Sequence, residues 1–141
     1  MKPQKVDSYK KTQIETADPA TLILMLYDRA IVLLDKAKNE IIEKKYEEKG
    51  CSLTKANDII AELAASLDME KGGEIATSLS RLYSFVMREI IDADTNLNTN
   101  AIDNSRRIVS ELRVSWLRVK DNPNIELQNT DNATTNVDLS G

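Results

Sequence analysis

A chain of 141 residues with 41% hydrophobic and 30% charged side chains, four glycines and three prolines has the make-up of one helix-rich globular domain, with too little turn chemistry for a many-stranded β fold. A net charge of −4 and the absence of histidine give nucleic-acid binding no electrostatic support and remove the commonest general base and zinc ligand. The single cysteine, Cys51, forms no internal disulfide and suits a reducing compartment.

Residues 1–17 are polar with scattered apolar positions, among them Val6, Tyr9 and Ile14, and read as an extended N-terminal arm without the apolar core of a secretory signal. Asp18-Pro19 then predicts a helix start, a carboxylate N-cap followed by Pro at the first helical position. The helical period runs through Leu22, Leu26, Ala30, Leu33, Ala37 and Ile41 to about Glu48, where Lys49-Gly50 offers a left-handed C-cap. Ser52 is the expected cap of a second helix carrying Leu53, Ala56, Ile60, Leu63, Ala64 and Leu67.

The link at residues 70–73, EKGG, is expected to turn the chain into a third helix with Ile75, Leu79, Leu82, Val86, Ile90 and Ala93 inward. A break near residues 98–100, with Asn100 and Asp103 spaced like a capping box, opens a fourth helix bearing Ile102, Val109, Leu112, Trp116 and Val119. Its cations Arg106, Arg107, Arg113, Arg118 and Lys120 read as a solvated face. Asp121-Asn122-Pro123 stops it, and residues 122–141, which contain no Lys or Arg, read as a disordered polar tail. Short links between four helices predict an all-α, antiparallel up-down four-helix bundle over residues 18–121.

Residues 22–34, LILMLYDRAIVLL, contain eleven apolar or aromatic side chains among thirteen. That run falls short of the roughly 20 residues that span a bilayer, yet it exceeds the arc of about 100° that a bundle helix buries. Leu24, Tyr27 and Ile31 lie on one flank of the core stripe, Met25 and Val32 on the other. On the third helix Tyr83, Met87 and Ile91 widen the arc in the same way, and Ile59 sits just outside the stripe of the second. Either the first helix is central and touches many neighbours, or this surface forms a groove for another helix. Tyr27 and Tyr83 fit both, since an aromatic ring with a hydroxyl suits the core or a groove edge.

No constellation of catalytic residues is legible, and no phosphate-binding loop or thiolate site is present. The segment 92–103, DADTNLNTNAID, approaches EF-hand spacing, but Leu97 stands where Gly is needed and Asp103 where Glu is usual. A helix end rich in turn-forming residues accounts for it. The expectation is a protein that is not an enzyme and takes no cofactor or metal.

The stretches LILMLYDRA, LTKANDIIAELAASLDMEKGGEIATSLSRLY and the late Trp of ELRVSW closely resemble the flagellin-specific export chaperone family, FliS, over about residues 6–119. The resemblance implies a four-helix bundle in the bacterial cytosol, not inserted in the membrane, that binds the disordered C-terminal segment of flagellin, prevents premature polymerisation and keeps it competent for type III export. It implies a second partner, the export-gate protein FlhA. Val6 and Tyr9 correspond to the family's arm, Leu26, Tyr27 and Asp28 to its LYD motif, Asp68, Gly72 and Gly73 to its second turn, and Leu82 and Tyr83 to its LY pair. Arg29 stands where the family has a small residue, and Ala93-Asp94 where it has Ala-Asn. The expected client groove comprises Leu24, Tyr27, Ile31, Ile59, Tyr83, Met87 and Ile91. The alternative reading is a structural helical bundle that self-associates through the same surface.

Overall fold

The computed structural model describes residues 18–121; the expected arm, with Val6 and Tyr9, and the tail at 122–141 lie outside the described residues. Four helices follow in order: α1 (Pro19–Ile42), α2 (Tyr46–Ala65), α3 (Met69–Asn96) and α4 (Thr99–Asp121). α1 begins as the sequence predicts, with the Asp18 carboxylate accepting from the Thr21 amide at 2.8 Å and Pro19 at the first position.

The α1–α2 break is not at Gly50. It falls at residues 43–45, where Lys44 adopts φ 62° and the Lys45 amide reaches back to the Glu40 carbonyl at 2.7 Å. This is a Schellman closure in which Lys takes the place usually given to Gly. Gly50 and Ser52 lie inside α2, so Ser52 is not a cap. The α3–α4 link repeats the device: Leu97 has φ 52° and ψ 42°, and the Asn98 amide donates to the Ala93 carbonyl at 3.1 Å. Asn98, rather than Asn100, then accepts from the Ala101 amide at 3.2 Å and starts α4.

Residues 70–73 also differ from expectation. The turn lies at 66–68, and Asp68 caps α3 by accepting from the Lys71 amide at 3.0 Å. Gly73, at φ 53° and ψ −128°, kinks the helix after its first turn. That conformation is open to Gly and costly for other residues. Gly72 lies against Ala76, and a Cβ added to it would stand 2.6 Å from the Ala76 Cβ.

α1 packs between α2 and α4, and α3 packs between the same two helices, so α1 and α3 face each other along the diagonal. The core combines small residues on α1, α2 and α3 (Ala30, Ala37, Ala56, Ala93) with Leu34, Leu53, Ile60, Leu63, Val86, Ile102 and Val109, all fully or almost fully buried. The alanines let the helices approach while the branched side chains fill the space between them.

Candidate functional site

Polar bonds between helices identify which face of each helix meets which neighbour. Along α1 and α4 a ladder of ion pairs joins Asp28 to Arg113, Asp35 to Arg106 at 2.7 Å and Lys38 to Asp103 at 2.9 Å. The α1 partner rises in number by the same steps as the α4 partner falls, which is the signature of antiparallel neighbours in one register. Two of the cations read as a solvated face, Arg106 and Arg113, are thus committed across a seam. The Asp28 carboxylate pushes the Arg113 guanidinium pKa further up.

The α1–α2 seam is joined by buried polar groups. The Ser52 hydroxyl, in a residue 2% exposed, donates to Glu40 Oε1 at 2.7 Å, and Lys36 pairs with the same carboxylate. Burial works against the Glu40 anion, but the hydrogen bonds from Lys36 and Ser52, with the charges of Lys36 and Lys45, outweigh it and lower the carboxyl pKa. At the α2–α3 seam the buried Lys49 ammonium reaches Asp94 Oδ1 at 2.5 Å and the Asp94 carbonyl at 3.0 Å. The α3–α4 seam carries a bond from Asn104 to Glu89 at 3.1 Å.

These bonds locate six of the seven residues expected to line a groove. Leu24 and Ile31 share a helical stripe with Asp28, Asp35 and Lys38, so they lie at the α1–α4 seam; Leu24 is buried and Ile31 half-buried. Ile59, two turns beyond Ser52, lies half-buried toward α1. Tyr83, Met87 and Ile91 form a stripe that continues to Asp94 and therefore faces α2. Along it exposure rises from a buried Tyr83 through a half-buried Met87 to Ile91 at 56% exposed. Leu24, Ile31, Ile59, Met87 and Ile91 thus lie along three different seams.

Tyr27 and Tyr83 are interior. Tyr27 is wholly buried, Tyr83 is 2% exposed, and their hydroxyls share a hydrogen bond of 2.7 Å. Burial, the facing Tyr83 and their hydrogen bond raise the Tyr27 pKa well above 10, against an opposing hydrogen bond from the Trp116 side chain. Burial pushes Tyr83 up to about 12, with the bond from Tyr27 opposing it. The groove reading of these two tyrosines is corrected: each ring buries its polar end because the other supplies the partner.

Asp68, Gly72 and Gly73 form the capped and kinked start of α3 described above, away from the polar bonds at the other end of the bundle. Sequence reasoning missed Glu40, Lys49 and Ser52, which are buried in seams, because charged and hydroxyl side chains inside helices ordinarily signal solvent. It also passed over Phe85, Val114 and Leu117, which are exposed apolar side chains outside the expected groove. Their signal was present: each stands off the core stripe of its helix.

Among the described residues no group of three or more His, Cys, Asp or Glu side chains is placed to hold a metal ion. The EF-hand-like segment is helical through Asn96. Its carboxylates are spread apart, Asp92 accepting from Asn96 and Asn98 and Asp94 from Lys49. No described helix is long and apolar enough to cross a membrane. What the surface offers is apolar area along helix seams, a chemistry of binding.

The profile of the family described as flagellar protein FliS matches residues 2–123. The chain is 34% identical over 119 residues to the flagellar secretion chaperone FliS of Salmonella typhimurium, covering 81% of this chain and 88% of that protein. It is 33% identical over 115 residues to the Vibrio cholerae protein of the same name, covering 79% and 85%. It is 31% identical over 106 residues to the flagellar secretion chaperone FliSB of Pseudomonas aeruginosa, covering 75% and 84%.

Proposed function

Because this chain belongs to the FliS family of flagellar proteins, we propose that it is a flagellar export chaperone that acts in the bacterial cytosol on the C-terminal segment of flagellin. It masks the apolar helix face of that segment against premature polymerisation and keeps it competent for type III export. The loaded complex engages the export-gate protein FlhA. The reading draws on the names of the relatives, each a flagellar secretion chaperone.

One observation carries it physically: apolar surface is left over after the core is closed, with Ile31, Ile59 and Met87 only partly covered and Ile91 56% exposed. Covering such a side chain contributes roughly 1.5–3 kcal/mol, while ordering a disordered client costs about 2–5 kcal/mol or more. Several anchors must act together, which favours a long contact and leaves affinity adjustable for release. No bond is made or broken in the client; the chaperone works by equilibrium masking.

Sedimentation of the purified chain with the C-terminal segment of flagellin from the source bacterium tests the reading. A monomer that forms a one-to-one complex supports it. A constitutive dimer that ignores the peptide favours self-association instead.

A further inference from the structure

α4 turns an uncovered strip away from the bundle. Ser105, Ile108, Val109 and Leu112 fill its buried side. At about 100° per residue, Val114 stands opposite them, 50% exposed, with Leu117 beside it at 38%. A shallow cavity of about 390 Å³ continues the strip, lined among the described residues by Asp103, Arg106, Arg107, Ser110, Glu111 and Val114, all on α4. The helix carries five cations against three carboxylates. Arg106 and Arg113 are engaged by α1, and Arg107 pairs with Glu111 at 3.6 Å. Arg118, exposed next to Leu117, has no partner among the described residues.

The 20 residues that follow α4 contain Glu126, Asp131 and Asp138 and no Lys or Arg, and the family match ends at residue 123. Their only Ile, Leu and Val side chains fall in two matching triplets, Ile125-Glu126-Leu127 and Val137-Asp138-Leu139. In an extended segment the outer members of such a triplet point to one side, about 6.6 Å apart. Leu117 and Val114 are about 4.5 Å apart along the helix axis, and Leu117 lies about 6 Å behind Asp121. Four extended residues cover about 13 Å, so a reversal at Asn122-Pro123, both turn-forming residues, brings the first triplet over Leu117 and Val114. The second triplet, ten residues further on, has the length to reach the cavity.

We propose that the outward strip of α4 is the docking site of this chain's own residues 122–141, with Ile125 and Leu127 over Leu117 and Val114 and Glu126 against Arg118. The second triplet occupies the cavity, with Asp138 toward Arg107. Apolar contact holds the segment, and charge selects the helix, since an acidic segment is drawn to the cationic helix it follows. An exposed apolar strip on a single chain invites association. A segment tethered to the same helix meets that strip at a far higher effective concentration than a second copy does. The tail therefore acts as an intramolecular shield against self-association, on a face apart from the seams where the groove residues lie.

Methyl NMR of the full chain, labelled at Ile, Leu and Val, tests this, with circular dichroism to check that each variant folds. The expected result is cross-peaks from the Ile125 and Leu127 methyls to those of Val114 and Leu117. They should be lost in Leu127→Asp, weakened in Arg118→Glu and restored when Arg118→Glu is combined with Glu126→Arg. Sedimentation should show more self-association in Leu127→Asp than in the parent. Absence of tail-to-α4 cross-peaks in the parent overturns the proposal, as does their survival in both single variants. Cross-peaks seen only between differently labelled copies assign the strip to a second copy, and cross-peaks from Val6 or Ile14 in their place assign it to the N-terminal arm. A strip contacted only after the flagellin C-terminal segment is added belongs to the client; each of these refutes the proposal.

Discussion

Tyr27 and Tyr83 touch hydroxyl to hydroxyl at 2.7 Å across the diagonal of the bundle, the two helices that share no broad packing face. The bond uses up polar atoms that would otherwise be buried without partners, and Trp116 of α4 adds a third ring to the group. Truncating one hydroxyl strands the other. Tyr27→Phe or Tyr83→Phe should each cost about 1–3 kcal/mol in urea unfolding, while the double Phe variant should cost less than the sum of the two. Additive costs would show that the hydroxyls do not depend on each other.

The same pair sets an alkaline limit. Both phenols hold their protons more tightly folded than unfolded, with Tyr83 raised to about 12 and Tyr27 raised in the same direction. Their contribution is therefore complete below the unfolded value near 10 and is lost as pH climbs through the folded values. Urea midpoints should be level below pH 10 as far as these groups are concerned and fall between pH 10 and 12, and the double Phe variant should show a shallower fall.

Acid acts through Glu40. Its carboxyl is lowered below 4.5 despite burial, owing to Lys36 and Ser52. Stability from this group is present above its unfolded value and is lost as pH falls through the lowered folded one. Glu40→Gln should flatten that part of the acid unfolding curve measured by circular dichroism. An unchanged curve would mean that the Ser52–Glu40–Lys36 group does not couple α1 to α2 in solution.

Backbone geometry at three positions predicts changes of opposite sign. Gly73→Ala places a side chain at φ 53° and should destabilise by about 1–3 kcal/mol. Lys44→Gly and Leu97→Gly relieve left-handed strain at φ 62° and 52° and should stabilise by up to about 1 kcal/mol each. Thermal melts of the three variants check the set.

Breaking single rungs of the α1–α4 ladder should cost little. Each pair is roughly half exposed, so Asp28→Ala, Asp35→Ala and Lys38→Ala should each lower stability by about 0.2–1 kcal/mol, with the effect shrinking in high salt. A larger, salt-insensitive loss would mark the rung as buried in solution.

The fold was legible where punctuation and period agree. Asp18-Pro19 starts α1, the core stripes of α3 and α4 are as read, and the four-helix count follows from them. The α1–α2 boundary was not legible because its left-handed position is held by Lys44, while the nearest Gly, Gly50, is spent inside a helix. The glycines at 72 and 73 suggested a turn, yet Asp68 had already capped the helix before them. For the surface, an apolar arc wider than a bundle needs identified Met87 and Ile91 as only partly covered. It could not separate Tyr27 and Tyr83 from them, since the hydroxyl partner that admits each ring to the core lies 56 residues away in the chain.

The ladder between α1 and α4 holds one further implication, for how such a chain can change length. Three rungs share a single register, so inserting one residue between Asp28 and Asp35 would rotate the far rungs by about 100° and sever them together. Deletions and insertions in α1 should therefore survive only when α4 carries a matching change, or when they fall beyond the last rung.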